Sequence, residues 1–271
     1  MKTIYSIEEM ATAAFSLREA GQSLGLVHYQ GNLHRGHASL IKAAKAENDM
    51  AVLCLFPLDG QSVNDLEQDS RKAEASGADI LFQPSRAALW PEGLVSRAAF
   101  GELGARLFGK EDPDHYPALC TLALKLCQII QPQCIYYGQK DIQRYLLARR
   151  MAADLNLPLE VKCLPIIREQ DNLALANSNS LLDANQRRQA CLIHASLQLA
   201  EQCYAEGQRE AAAILAVMEQ ELRKALLGNI RCLQAVDTLN LLPQERLKSN
   251  SLIALALDFG SVILTDNILL D

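Results

Sequence analysis

The stretch Leu24-Gly25-Leu26-Val27-His28-Tyr29-Gln30-Gly31-Asn32-Leu33-His34-Arg35-Gly36-His37 decides the fold. Residues 24–27 form a short apolar run, a glycine-containing turn follows, and apolar residues then recur at helical spacing over residues 37–48. A strand that passes through a tight turn into a helix is the first half of a βαβ unit. The same alternation continues outward. Residues 50–56 read as a strand closed by Pro57, and residues 78–82 as another between Gly77 and Pro84. Residues 118–131 carry a helical pattern that stops before Pro132, residues 134–137 a strand ended by Gly138, residues 142–156 a helix, and residues 159–167 a further strand. This order predicts an α/β fold, a doubly wound parallel sheet of Rossmann-like type.

Beyond Ser180 the pattern changes. Residues 183–206 and 209–227 read as successive helices with no strand between them, and residues 230–236, 252–257 and 261–264 read as strands. A smaller C-terminal α+β domain is expected, which divides the chain into residues 1–176 and 177–271 with a hinge at 177–180.

The chain has 271 residues, 49% of them hydrophobic and 21% charged, enough to bury a large core. Its 26 Lys and Arg against 32 Asp and Glu give a net charge of −6, which offers no electrostatic footprint for nucleic acid. No apolar run approaches the ~20 residues of a membrane span, and the N-terminus lacks the apolar segment of a signal peptide. A soluble, cytoplasmic protein without nucleic-acid or membrane partners is expected. The eight cysteines stand mostly in apolar segments and never as C-x-x-C, which points to reduced, buried thiols and not to a metal site or a disulfide framework.

Two segments carry chemistry. His34 and His37 stand three apart at a helix start and so face the same side, with the small Gly36 between them leaving the backbone open to a ligand. The unpaired N–H groups of a helix start favour an anion. Two imidazole donors beside such an end suit the polyphosphate of ATP, where charge builds up as pyrophosphate leaves. The plainer alternative is a pair of surface or metal-binding histidines on a tight turn. In Tyr136-Tyr137-Gly138-Gln139-Lys140-Asp141 a lysine follows the carboxyl end of a strand, where open α/β sheets bind ligands. Its alternative is a solvated Lys140 beside an Asp141 that caps the next helix.

Leu26-Val27 with Gly31-Asn32-Leu33-His34-Arg35-Gly36-His37, Tyr137-Gly138-Gln139-Lys140-Asp141-Ile142-Gln143, Arg168-Glu169-Gln170-Asp171 with Leu173-Ala174, and Leu264-Thr265-Asp266-Asn267-Ile268 come in one order over nearly the whole chain. Together they resemble the pantoate-β-alanine ligases, the pantothenate synthetases of the coenzyme A pathway. The resemblance implies a Rossmann-like ATP domain, a small C-terminal lid domain, Mg²⁺ and a homodimer. It implies a two-step reaction in which pantoate attacks the α-phosphate of ATP, and β-alanine then displaces AMP from pantoyl adenylate. Carried over by position, His34 and His37 hold the ATP phosphates, with Gly31, Gly36 and Gly138 shaping the turns around the nucleotide. Lys140 meets the α-phosphate, Asp141 lies on the ribose and metal side, and Gln143 bonds pantoate. His115 occupies the place of the family's R-P-G-H-F histidine and is expected on the substrate side.

The departures are as informative. Phe56 stands where the family has Asn and Asp59 where it has a pantoate-binding Gln, with Gln61 the nearest amide that could substitute. Gln30 replaces a methionine that contacts substrate. The Ser-Ser-Arg cluster after R-E-Q-D has become Ala176-Asn177-Ser178, leaving Arg187 or Arg188 as candidate replacements for the lost cation. These changes leave two other readings open: a related adenylate-forming ligase for another small acid, and a nucleotide-binding pseudoenzyme.

Overall fold

The computed structural model describes residues 1–56, 63–110, 112 and 114–270, without the side chains of residues 30, 63 and 64. Its contacts divide the chain into two compact units, Met1–Phe100 with Pro113–Pro165, and Gly101–Asp112 with Ile166–Asp271. The change therefore falls ahead of the expected boundary at residue 176, and a short segment from the first half belongs to the second unit. The reason lies in the Arg168-Glu169-Gln170-Asp171 stretch, whose side chains pair with residues that come later in the chain.

In the first unit the elements run β1 (Lys2–Ile4), α1 (Ile7–Glu19), β2 (Leu24–Gln30), α2 (Arg35–Glu47), β3 (Met50–Phe56), α3 (Val63–Ala75), β4 (Ile80–Phe82), α4 (Arg86–Leu89), α5 (His115–Ile130), β5 (Cys134–Gly138), α6 (Ile142–Asp154) and β6 (Glu160–Leu164). The sheet is parallel throughout with the order β1-β4-β3-β2-β5-β6. From β2 the chain winds outward through β3 to β4, then returns to the other side of β2 for β5 and β6. The reversal lies between β2 and β5, where Val27 pairs with Tyr136. A doubly wound sheet opens a crevice at the carboxyl ends of the two strands that flank such a switch.

Helices cover both faces, as strands buried on two sides require. Leu26, Cys54, Phe56, Phe82 and Tyr137 pack with Met10 and Ala14 of α1, Leu126 of α5 and Ala148 of α6. The alternate residues Val27, Tyr29, Leu53, Leu55 and Tyr136 pack with Leu40, Ile41 and Ala44 of α2 and Ala73 of α3. Strand β1 escapes a periodicity reading because three residues offer no pattern to read. It is an edge strand, held by parallel pairing of Lys2, Thr3 and Ile4 with β4.

The second unit contains α7 (Ala184–Ala190), α8 (Leu192–Ala205), α9 (Ala211–Leu222) and the antiparallel strands β7 (Asn229–Asp237), β8 (Ser251–Asp258) and β9 (Ile263–Leu269). The single helix expected over residues 183–206 is broken at Cys191. Asp183 caps the first piece by accepting from the amides of Asn185 and Gln186 at 2.7 and 2.9 Å, while the Gln186 side chain returns a bond to the Asp183 amide. The strand expected over 261–264 starts slightly later and runs on to Leu269. All eight cysteines are free thiols. Burial pushes those of Cys120 and Cys127 up to about 12, so they behave as small apolar groups.

One close approach fixes the helix that carries the histidines. A Cβ on Gly25 would stand 2.5 Å from the Asn48 Nδ2 atom, because the end of α2 lies directly on β2. That Nδ2 donates to the Ala44 carbonyl at 2.9 Å and the Tyr136 hydroxyl at 2.8 Å, and the hydroxyl in turn donates to Glu47 at 3.0 Å. Gly25→Ala must push the amide out of this buried chain. Urea unfolding is expected to show a loss of about 1–3 kcal/mol, as for overpacked cores; an unchanged midpoint would mean that α2 shifts freely.

Candidate active site

At the end of β2 the chain turns at Gly31, whose φ of 91° lies in the region that favours glycine. His34, in extended conformation, is the N-cap of α2. Its Nδ1 accepts from the Gly36 amide at 3.1 Å, and its own amide donates to the Nδ1 of His37 at 3.4 Å. The two histidines thus cap each other's turn, in the reciprocal manner of a capping box. A ring nitrogen that accepts from a backbone N–H carries no proton, so in the neutral rings the proton sits on Nε2. The rings stack with centroids 3.9 Å apart and planes 17° from parallel. Two Nε2–H donors therefore stand side by side at the positive end of a helix dipole.

Gly36 also serves the cap: a Cβ there would lie 2.9 Å from the His34 ring. At Gly138, at the end of β5, a Cβ would meet nothing within 4 Å.

The electrostatics tie the second segment to the first. Burial lowers the pKa of His34, and the Lys140 ammonium lowers it further. His37 falls to about 3, through burial first and then through His34 and Arg144, against the pull of Asp141. The two turns follow strands β2 and β5, which pair directly at the switch point, and the lowered values leave both imidazoles neutral at pH 7. Asp141 holds the N-cap position of α6 but makes no side-chain capping bond, which corrects the capping expectation. It accepts instead from Arg144 at 3.2 Å. Burial alone would raise its pKa; Arg144 and Lys140 outweigh that and hold the carboxyl below its ordinary value.

The other expected residues are placed less uniformly. Gln143 is buried, 1% exposed, in the first turn of α6, while Arg144 beside it is partly exposed. His115 is exposed at the first residue of α5, edge-on to Tyr116 at 5.1 Å. The Gln30 side chain, Asp59 and Gln61 lie outside the described residues. Phe56 is 4% exposed in the core face of β3. Three groups escaped the motif reading. The His28 Nε2 atom and the Tyr137 hydroxyl share a hydrogen bond of 3.1 Å on adjacent strands at the switch. Arg144 was hidden behind Gln143. Asp69 of α3, 1% exposed, accepts from the Leu33 amide at 2.9 Å, and Lys72 donates to the Leu33 carbonyl at 3.1 Å. Asp69 and Ala73, four residues apart and both buried, share α3's inner face.

The sequence profile described as pantoate-beta-alanine ligase matches residues 2–269. The chain belongs to the pantoate-β-alanine ligase family. A pantothenate synthetase of Moorella thermoacetica is 35% identical, over 100% of this chain and 98% of its own. The crystal structure of pantothenate synthetase from Thermus thermophilus superposes with a TM-score of 0.88 at 30% identity, covering 99% of both chains. That of a Francisella tularensis pantoate-β-alanine ligase, complexed with beta-gamma ATP and β-alanine, gives 0.77 at 27% identity, over 99% of this chain and 97% of its own.

The family motifs of the second unit brace one another. Arg168 meets Asp266 through two bonds of 2.7 and 3.2 Å, joining the R-E-Q-D segment to the L-T-D-N-I segment of β9. Arg187 bonds Asp171 at 2.8 Å and Glu169 at 2.7 Å, so this candidate for the lost cation is engaged within its own unit. Arg188 bonds Asn185. Asn172 sits at a φ of 66°, which asparagine tolerates better than other side chains.

The neutral histidines predict an acid sensitivity. Burial also holds His28 at about 3, with Arg144 opposing its protonation further. In the unfolded chain both His28 and His37 titrate near 6.5. Between these values the unfolded state binds more protons, so stability falls as pH drops from about 6.5 towards about 3. The urea midpoint is expected to fall from pH 7 to pH 5, before carboxylates contribute, and to fall less in a His28→Asn, His37→Asn double variant. Equal slopes would place the sensitivity elsewhere.

Proposed function

We propose that the protein condenses pantoate with β-alanine at the expense of ATP. A pantoate carboxylate oxygen attacks the α-phosphorus, the bond to the β-phosphate breaks, and pyrophosphate leaves. The β-alanine amine then adds to the acyl carbon of the adenylate, AMP departs with the bonding pair, and the amine proton passes to solvent. What supports this reading is that His34 and His37 follow the end of β2 while Lys140 and Asp141 follow the end of β5, the two paired strands that flank the switch point, in a chain that belongs to the ligase family.

On this reading His34 and His37 donate their Nε2–H groups to phosphate oxygens. Neutral donors suit the task, because each approaching oxygen finds a fixed N–H that needs no proton uptake. Lys140 offsets charge at the α-phosphate, and the start of α2 adds its dipole. The glycines at 31 and 138 shape the two turns. Asp141 fits a Mg²⁺ ion that arrives with the triphosphate, since Mg²⁺ uses one or two carboxylates together with phosphate oxygens and neutralises their charge. Among the described residues no cluster of three or more His, Cys, Asp or Glu forms a site for an ion by itself.

The acid side is assigned to Gln143, Gln30, Gln61 and His115; Arg144 follows Gln143 in α6, and the His28–Tyr137 bond joins the two strands of the switch. Its Phe56 has no hydrogen bond to offer, so a polar group of pantoate that an amide would meet goes unpaired, at about 1–3 kcal/mol. Phe56 is also a core residue. Phe56→Asn is therefore expected to cost about 3–5 kcal/mol of stability, whatever it adds to the pocket. A cytoplasmic setting and a homodimer complete the proposal; no helix among the described residues is long and apolar enough to cross a membrane.

The deciding experiment is exchange of labelled pyrophosphate into ATP. Exchange is expected with pantoate and not without an acid, and Lys140→Met should lower its rate by about 10²–10³ with the fold intact. Exchange driven by another small acid but not by pantoate would favour a related ligase; no exchange with any acid would favour a nucleotide-binding protein without ligase activity.

A further inference from the structure

The histidine pair does not stand alone. Tyr29, the residue before last of β2, lies under His37 with ring centroids 4.4 Å apart and planes 25° from parallel. His34 follows on the far side of His37 at 3.9 Å. Three rings thus form one file from the sheet to the helix cap. Tyr29 is 4% exposed, packed among Val27, Leu33, Leu40 and Ile41, so its ring is fixed by the core before any ligand enters. Burial and the neighbouring Asp69 carboxylate push its phenol well above the ordinary value, so it stays a neutral ring. The same Asp69 holds the Leu33 amide, and Lys72 holds the Leu33 carbonyl, so the turn next to His34 is tied to α3 on both sides of one residue.

We propose that Tyr29 is a positioning residue for the nucleotide site, its ring holding His37 and, through it, His34 in the one orientation that turns both Nε2–H donors outward. The inference rests on the reading of these histidines as phosphate donors. An imidazole at a helix start is otherwise free to rotate about its side-chain bonds, and the hydrogen bond at 3.4 Å from the His34 amide to His37 is too long to fix the ring by itself. The stack supplies what that bond lacks. Ordering is then complete on folding, and ATP meets donors already in place. The neutral state of both rings is part of the same device, because two imidazolium ions could not stack face to face at 3.9 Å.

Two variants separate the ring from its bulk. Tyr29→Phe keeps the stack, and its exchange rate and KM for ATP are expected to stay within about twofold of the wild type. Tyr29→Leu leaves an apolar side chain with no ring face in a buried place, so its unfolding midpoint is expected to fall, and in buffer where the variant is still folded its exchange rate is expected to be about 10- to 100-fold lower. Nitrogen-15 NMR of labelled histidine reads the position directly. The wild type and Tyr29→Phe should show His34 and His37 as single Nε2–H tautomers, whereas Tyr29→Leu should show averaged tautomers. Single tautomers in Tyr29→Leu, or equal activity losses in both variants, would overturn the proposal. A wild type that shows the single tautomers but no acid-dependent exchange would overturn the ligase reading and leave the positioning role standing.

Discussion

The structure depends on a single strand being paired on both edges. Strand β2 bonds β3 on one side and β5 on the other, all in parallel, and each parallel neighbour requires a crossover through a helix. The crossovers from β2 and from β5 start at adjacent strand ends and depart on opposite faces, since α2 packs with one side of the sheet and α6 with the other. The groups proposed for the nucleotide, His34, His37, Lys140 and Asp141, each follow within a few residues of the point where β2 or β5 stops.

Placement is followed by a choice between charge and geometry. A cationic cluster would also attract a triphosphate, and this chain places Lys140 and Arg144 in the neighbourhood. It keeps its two histidines uncharged, however, by burying them and surrounding them with those cations. The imidazoles then contribute direction. Their Nδ1 atoms accept from backbone amides, which leaves Nε2 as the donor of each neutral ring, a fixed site of donation that an ammonium on a flexible stem does not offer. The glycine between them serves the same end, since a side chain there would displace the ring that caps the helix.

The architecture was legible wherever an element was long enough to show a period. The switch point followed from strands 24–27, 50–56 and 134–137 and the helices between them. Strand β1 was invisible at three residues, and the break at Cys191 was hidden because no proline or glycine marks it. In the site, His34, His37, Lys140 and Asp141 were legible because their chemistry is local: each lies within a few residues of a strand end. Tyr29 and Asp69 were not, because their roles exist only across the fold. A tyrosine in an apolar strand reads as core, and an aspartate in the polar sequence of α3 reads as solvated surface. The same blindness explains Arg168 and Asp266, two motif residues whose pairing spans most of the second unit.

The division of the chain has a consequence for its synthesis. Segment Gly101–Asp112 belongs to the second unit, where Leu107 is buried and Arg106 donates to the Asn240 carbonyl at 2.7 Å. These partners lie 134 positions apart. At roughly 5–20 residues per second of translation, the segment leaves the ribosome on the order of ten seconds before the strand it rests on exists. During that interval the sheet of the first unit can close around α5 and β5, while Leu107 waits exposed. The first unit thus carries out of the ribosome a loop that is committed to a neighbour not yet made, and the yield of folded chain depends on that loop staying out of other contacts until the last strands emerge.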